Sequence, residues 1–354
     1  MSTEHIDMKT VIELPTPDSL AEAGRLIRAG ALVGFATETV YGLGADAFNA
    51  QAVKKIFLAK NRPGDNPLIV HIAKYAQLDE LVEGTLPDAA TRLADAYWPG
   101  PMTIVLKKSN RVPDCVSPGM DTVGVRMPDH PLALALIESA GTPIAAPSAN
   151  RSGRPSPTTA EHVLADMNGR IALILDGGAC DVGLESTVID VTCDPVRILR
   201  PGAITPEMVM DVLGAVEVDG SVLRPPVDGE RVRSPGMKYK HYAPNGRLTI
   251  VSGAYAVDTI NHLYDESEES GVSCCILSWD KNAHCYAPRR VKTLGADAKS
   301  AGAQLFAVLR EMDALGMERI FSEAVLPQGF GLAVMNRLGR AAAFDEIDAS
   351  NPIY

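Results

Sequence analysis

"KNRPGDNPLIVHI", residues 60–72, changes its pattern halfway along. Upstream of it Asn49 is a good helix N-cap, and Val53, Ile56 and Phe57 recur at helical spacing. Lys60 falls one turn beyond Ile56 on that same face. It therefore leans into the domain, while Lys54 and Lys55 lean toward water. Pro63 prevents the helix from continuing. The chain then turns and becomes a strand, with Leu68, Val70 and Ile72 on one face and Ile69 and His71 on the other. A helix here hands over to an apolar strand in a short space, so the domain mixes helices and strands. The stretch also poses a chemical question. A solvated turn explains Lys60 and Arg62; an anion-binding pocket explains both cations and the histidine.

The same alternation extends outward in both directions. Residues 19–22, "SLAE", read as the capping box of a helix that ends near Gly30. Strands are predicted at 31–36, 68–72, 103–107, 122–127, 144–146, 171–175, 186–191 and 196–199. Thr205 as N-cap and Pro206 at the first helical position open a last helix. Residues 1–220 thus read as a mixed α/β or α+β domain. Next comes "RPPVDGERVRSPGMKYKHYAPNGR", residues 224–247, rich in Pro and Gly and without amphipathic period. By composition the segment 221–246 is a basic linker, although "KYKHYAP" is unusual decoration for a spacer. Beyond it "RLTIVSG", "CCILSW" and "RIFSEAVL" read as strands. A long helix carrying Leu305, Leu309 and Met312 separates the last two, so residues 247–354 form a smaller, Rossmann-like α/β domain.

Composition narrows the function. A chain of 354 residues exceeds what one core usually holds, which favours two domains. No run reaches membrane-spanning length, and "MSTEHIDMKTVIELP" lacks the basic start and apolar core of a signal peptide. The expected location is the cytoplasm, with no membrane contact. The six cysteines form no CxxC pair, and no histidine pair has zinc spacing, so reduced thiols are expected. A net charge of -11 argues against a nucleic-acid coat protein but leaves room for a local basic cleft. Walker A, GxGxxG between strand and helix, and GxSxG are all absent.

Polar residues gather where strands end, a common place for ligand sites in α/β proteins. Thr37, Glu38 and Thr39 follow one strand. Ser148, Asn150, Ser152 and Ser156 follow another. Ser186 and Thr187 lie in "LESTVIDV", and Arg200 in "RILRPG". In "TVGVRMP", Val123, Val125 and Met127 share one face, so Thr122 and Arg126 share the opposite one. Singly, each has a plain explanation. Hydroxyls form turns and caps, a lone histidine sits satisfied in a core, Arg126 sits in an ion pair, and Lys60 complements a helix C-terminus.

Together, "TETVYGLGADA", "KNRPGDNPLIVHI", "WPGPMTIVLKK", "TVGVRMPDHP", "APSANRSGRPSPT", "ESTVIDV" and "LRPGAI", in this order, resemble the threonylcarbamoyl-AMP synthase family. "SPGMKYKHYAP" followed by an α/β tail is similar to its long, two-domain form. The resemblance covers nearly the whole chain. Two positions depart from the pattern: Ala36 where proline is expected before "TETVYG", and Ala146 where serine is frequent before "PSAN".

The resemblance implies a catalytic domain over residues 1–220, a twisted α/β sheet with a large concave basic cavity. It implies a reaction that joins L-threonine, bicarbonate and ATP into threonylcarbamoyl-AMP and pyrophosphate. Downstream proteins would then transfer the threonylcarbamoyl group to an adenosine beside the tRNA anticodon. By the same resemblance Lys60, Arg62 and Ser148 are the catalytic residues. Thr37, His71, Arg126 and Thr187 bind L-threonine, with Arg126 suited to its carboxylate. Lys60, Arg62, Ser148, Asn150, Ser156, Ser186, Arg200, His241 and Tyr242 bind ATP. The linker would cover the cavity as a lid that excludes water, with Lys240, His241 or Tyr242 near the nucleotide. Mg2+ is expected to ride on the ATP phosphates, without a dedicated protein metal site. Direct tRNA binding and the role of residues 247–354 stay open. So do two other classes: an RNA-binding module, and a regulatory nucleotide-binding protein on the same fold. The related carbamoyl-transfer enzymes of hydrogenase maturation carry an acylphosphatase-like module and zinc-finger cysteines that this chain lacks.

Overall fold

The computed structural model describes residues 9–225 and 241–351 and contains two sheets. Chain order in the first is β1 (Val11–Glu13), β2 (Val33–Phe35), β3 (Gly42–Asp46), β4 (Ile69–His71), β5 (Met102–Lys107) and β6 (Thr122–Arg126). It continues with β7 (Ile144–Ala145), β8 (Leu173–Leu175), β9 (Thr187–Asp190), β10 (Arg197–Arg200) and β11 (Glu217–Val218). The spatial order is β1-β8-β2-β3-β7-β4-β6-β5-β9-β10-β11, with parallel and antiparallel neighbours mixed. Between these strands run α1 (Pro17–Arg28), α2 (Ala50–Lys60), α3 (Leu78–Leu81), α4 (Asp88–Tyr97), α5 (Pro131–Ala140), α6 (Ala160–Met167) and α7 (Pro206–Leu213).

The second sheet is parallel throughout. It holds β12 (Arg247–Ser252), β13 (Cys274–Ser278), β14 (Val291–Thr293), β15 (Arg319–Glu323) and β16 (Glu346–Asp348), in the order β14-β13-β15-β12-β16. Its helices are α8 (Ala256–Glu269), α9 (Ala298–Ala314) and α10 (Phe330–Ala341).

Each strand predicted from periodicity is present, most of them shorter by a residue or more at their ends. β1, β3, β11, β14 and β16 carry no clear sequence signal. β3, "GLGAD", hides its pattern behind two glycines. A Cβ on Gly44 would come within 2.9 Å of both Ile144 and Phe35, so packing rather than a turn requires glycine there. α1 corrects one expectation. Its capping box is built by Thr16 and Ser19, not by Ser19 and Glu22: the Ser19 amide donates to Thr16 Oγ1, and the Thr16 amide donates to Ser19 Oγ. Pro17, with φ already helical, fixes the start three residues earlier.

α2 follows its sequence. Asn49 Oδ1 accepts the amides of Gln51 and Ala52 at 3.1 Å, and Asn61 ends the helix in the left-handed region at φ 51°. Lys60 is buried at 2% exposure, while Lys54 and Lys55 are exposed. β4 and β6 are parallel neighbours, with His71 in register with Arg126. Leu68, Val70 and Ile72 join Val123, Val125 and Met127 in the main core on one face. Ile69 lies in a small apolar cluster with Val105, Val188 and Leu199. His71 and Arg126 share that second face.

The two domains pack directly together. Val40, Leu184 and Tyr242 belong to the same buried cluster as Leu305, Phe306 and Leu309 of α9. Among the described residues no helix is long and apolar enough to cross a membrane. No disulfide joins any of the six cysteines.

Candidate active site

A cavity opens on the His71 face of the sheet. It draws its walls from the β2–β3 loop, the end of α2, the loop after β7, the run into β9 and the end of β10. All but two of the residues predicted for the site line it.

Lys60 comes from the last turn of α2. Its Nζ donates to the carbonyl of Ser148, to the carbonyl of Asn150 at 2.6 Å and to Asn150 Oδ1 at 3.3 Å. The ammonium thus ties the helix end to the "PSAN" loop. Ser148 Oγ donates to Asn150 Oδ1 at 2.5 Å, and Asn150 Nδ2 donates to the carbonyls of Arg151 and Arg154. Burial, and then the neighbouring Arg62 charge, hold Lys60 well below the usual lysine range. Arg62 donates to the Pro67 carbonyl at 3.3 Å, and its Nε is buried without a hydrogen-bond partner. Burial lowers its pKa to about 10.

On the sheet, Arg126 reaches three neighbours. Nη1 donates to Thr39 Oγ1 at 2.9 Å, Nε to the Gly100 carbonyl at 3.2 Å, and Nη2 lies 2.6 Å from Glu38 Oε1. The last is a charge contact without hydrogen-bond alignment, so Nη2 and Glu38 Oε2 both retain hydrogen-bonding capacity. Thr37 donates to the Val40 carbonyl at 2.6 Å and accepts the Thr39 amide, which shapes the loop that presents it. His71 Nδ1 is buried without a partner, and burial together with the Arg126 charge lowers its pKa to about 3. It is therefore neutral at physiological pH.

Arg200 closes the opposite wall. Its Nε and Nη2 donate to the Ser186 carbonyl at 3.1 and 2.9 Å, and burial lowers it to about 10. Ser186 Oγ lies 2.7 Å from Thr103 Oγ1. From the linker, residues 226–240, Lys240 among them, lie outside the described residues. His241 and Tyr242 line the cavity. Tyr242 stacks on Phe306 with ring centroids 5.0 Å apart, and His241 Nε2 is buried without a partner.

Ser156 and Thr187, expected at the ATP and threonine sides, are the two exceptions. Ser156 is fully buried behind the lining and donates to Glu185 Oε1 at 2.6 Å. Thr187, also fully buried, donates to the Ile204 carbonyl at 2.7 Å and accepts the Ile204 amide at 3.1 Å. Their hydroxyls hold the wall together. A hydroxyl beside a strand looks alike in sequence whether it faces a cavity or a neighbouring loop.

Three residues were missed or passed over. Glu38, in sequence only a polar residue after a strand, is the counter-charge of Arg126. Glu185, at the head of "ESTV", lines the cavity. Burial opposes its ionisation, but the charges of Arg337 and Arg200 and the Ser156 hydrogen bond hold it below the usual carboxylate range. Arg337 comes from α10, in a stretch without any sequence signal for the site.

Chemically, the described lining sets Lys60, Arg62, Arg126 and Arg200 against Glu185, with Glu38 beside Arg126. Such an excess suits a polyanionic ligand. Among the described residues no three metal-binding side chains come together.

The chain is similar to known proteins along nearly its whole length. Residues 25–202 match the family model described as telomere recombination, and residues 204–343 match that of the threonylcarbamoyl-AMP synthase C-terminal domain. The threonylcarbamoyl-AMP synthase of Bacillus subtilis is 46% identical, over 97% of this chain and 98% of its own length. That of Pyrococcus abyssi is also 46% identical, over 91% of this chain and 93% of its own. The crystal structure of P. abyssi Sua5 complexed with L-threonine superposes with a TM-score of 0.90 at 44% identity, covering 96% of this chain and 99% of that one. The chain belongs to the threonylcarbamoyl-AMP synthase family.

Proposed function

We propose that this protein is an L-threonylcarbamoyladenylate synthase. The observation that carries the reading is the cation excess of the cavity, in a chain whose relatives over nearly its full length bear that name. Threonine's amine and bicarbonate give a carbamate and water. A carbamate oxygen then attacks the α-phosphorus of ATP, the bond to the β-phosphate oxygen breaks, and pyrophosphate leaves. Every reactant carries or gains negative charge, so the site needs placed cations and oriented donors more than a covalent nucleophile.

The residues divide by position. Lys60 and Arg62 face the triphosphate and the departing pyrophosphate, with Ser148 and Asn150 beside them. Arg126, Thr37 and neutral His71 hold threonine, whose carboxylate shares Arg126 with Glu38. Arg200 and Ser186 form the nucleotide side, and His241 and Tyr242 cover the cavity from the linker. Ser156 and Thr187 act from behind the wall, by fixing Glu185 and the loop at Ile204. Glu185 is engaged by Arg337 and Ser156. A magnesium ion entering with ATP would therefore take its oxygens from phosphate and water. The product is consumed by proteins that transfer the threonylcarbamoyl group to tRNA. Six cysteines without a disulfide fit a reducing cytoplasm.

The test is pyrophosphate release from ATP by the purified protein, with L-threonine and bicarbonate supplied together and then omitted in turn. Release that requires both is expected. Release with neither marks a nucleotide hydrolase. No release from folded protein with magnesium present favours a regulatory or RNA-binding protein on the same fold.

A further inference from the structure

Arg310 and Arg337 of the C-terminal domain reach residues of the N-terminal domain. Arg310 of α9 donates to Asp166 Oδ2 and to the Pro155 carbonyl, both at 2.6 Å. Arg337 of α10 has no solvent exposure. Its Nε donates to Glu185 Oε2 at 2.9 Å and its Nη2 to the Glu185 carbonyl at 3.1 Å. Its Nη1 donates to the Pro201 carbonyl at 2.7 Å and to Asn336 Oδ1 at 2.8 Å. The same guanidinium therefore fixes the segment that enters β9 and the residue that follows Arg200. Close packing supports the grip. Gly183, at φ 72°, lies so near α9 that a Cβ there would sit 2.6 Å from Ala303 Cα.

We propose that Arg337 is a positioning residue of the cavity, and that the C-terminal domain acts in the reaction by holding the nucleotide wall through it. The chain of contacts is short. Arg337 sets Glu185, Glu185 sets Ser156 through its other oxygen, and the backbone between Glu185 and Thr187 carries Ser186, on which Arg200 rests. A guanidinium is needed because one planar fork must reach a carboxylate and two separate carbonyls at once. An ammonium in its place cannot reach all three. This inference rests on the adenylate-forming reading, and it gives the C-terminal domain a task that its own sequence does not reveal.

The test uses the full-length protein and four variants: Arg337→Met, Arg337→Lys, Glu185→Gln and the Glu185→Gln/Arg337→Met double. ATP affinity is read by calorimetry, the reaction by pyrophosphate release, and folding by melting temperature. Arg337→Met is expected to weaken ATP binding by about tenfold or more, the scale of a lost buried charge-assisted hydrogen bond, while the KM for threonine moves less than about twofold. Arg337→Lys should recover only part of the loss. The double variant should bind ATP no worse than Arg337→Met, because the two side chains act as one unit. The proposal is overturned by a folded Arg337→Met protein with wild-type ATP affinity. It is equally overturned by threonine and ATP parameters that fall together, or by losses that multiply in the double variant. Should Arg337→Met fail to fold, Arg337→Lys and Glu185→Gln carry the same comparison. A wild type without threonine-dependent release overturns the functional reading instead, and ATP calorimetry still tests the positioning role.

Discussion

Buried cations occur in two places in this molecule, and they are held in opposite ways. At the domain interface two guanidiniums each meet a carboxylate: Arg310 meets Asp166, and Arg337 meets Glu185. In the cavity, Lys60 and Arg62 meet only carbonyl and amide oxygens in their hydrogen bonds among the described residues. Desolvating a charge costs several kcal/mol unless a partner offsets it. The interface supplies the partner from within the chain. The cavity leaves much of that cost in place, as the lowered pKa values of Lys60 and Arg62 record. Two buried cations that hydrogen-bond no carboxylate are poised for an anion from solution; an interface that pairs them is already complete.

The largest effect expected from this contrast lies at Lys60 and Arg62. Arg62→Ala should lower pyrophosphate release by on the order of 10²-fold or more, the usual result of removing one placed charged donor, with little change in melting temperature. Lys60→Ala should match it in rate and also lose stability. It leaves the Ser148 and Asn150 carbonyls without their donor, at about 1–3 kcal/mol. Kinetics paired with thermal unfolding separate the two. A Lys60→Ala protein that loses stability but keeps its rate would move Lys60 to the structural class and break the comparison.

Arg126 stands between the two classes, since it faces the cavity yet already touches Glu38. Arg126→Ala should raise the KM for threonine by about tenfold or more while ATP affinity moves little, on the scale of a charged hydrogen bond to the carboxylate. Equal loss for both substrates would place Arg126 with the interface arginines, as a brace for the Thr39 loop.

The sequence carried the strands of the sheet's centre because they alternate or run apolar between turn residues, as 68–72 and 122–127 do. It carried most of the cavity because Lys60 and Arg126 follow from helical and strand periodicity. What it did not carry has a common cause. β3 is built of residues chosen for close approach, so periodicity vanishes there. Ser156 and Thr187 resemble cavity hydroxyls but bond to Glu185 and Ile204. Glu185 and Arg337 are 152 positions apart, and only the docking of one domain on the other makes them a pair. Local pattern encodes which way a side chain leans from its own element. It does not encode which element of another domain arrives to meet it.

The smallest effect expected is also the most direct test of the cavity's charge state. Burial holds the free Lys60 well below the ordinary lysine range. A bound triphosphate would raise it again by opposite charge at close range. The bound state then holds more protons than the free state over the window between the two pKa values. By linkage, ATP affinity falls as pH rises through that window, and binding takes up protons within it. His71 and His241, both lowered to about 3, stay neutral throughout and add nothing. Calorimetry at a series of pH values across that window, above the last phosphate pKa of free ATP, should show a binding enthalpy that depends on the ionisation enthalpy of the buffer, with an uptake of up to about one proton. Lys60→Met should abolish that dependence. A buffer-independent enthalpy in the wild type would mean that three oxygens of the chain keep Lys60 fully charged before ATP arrives, so that in the cavity, as at the interface, the protein alone completes its cations.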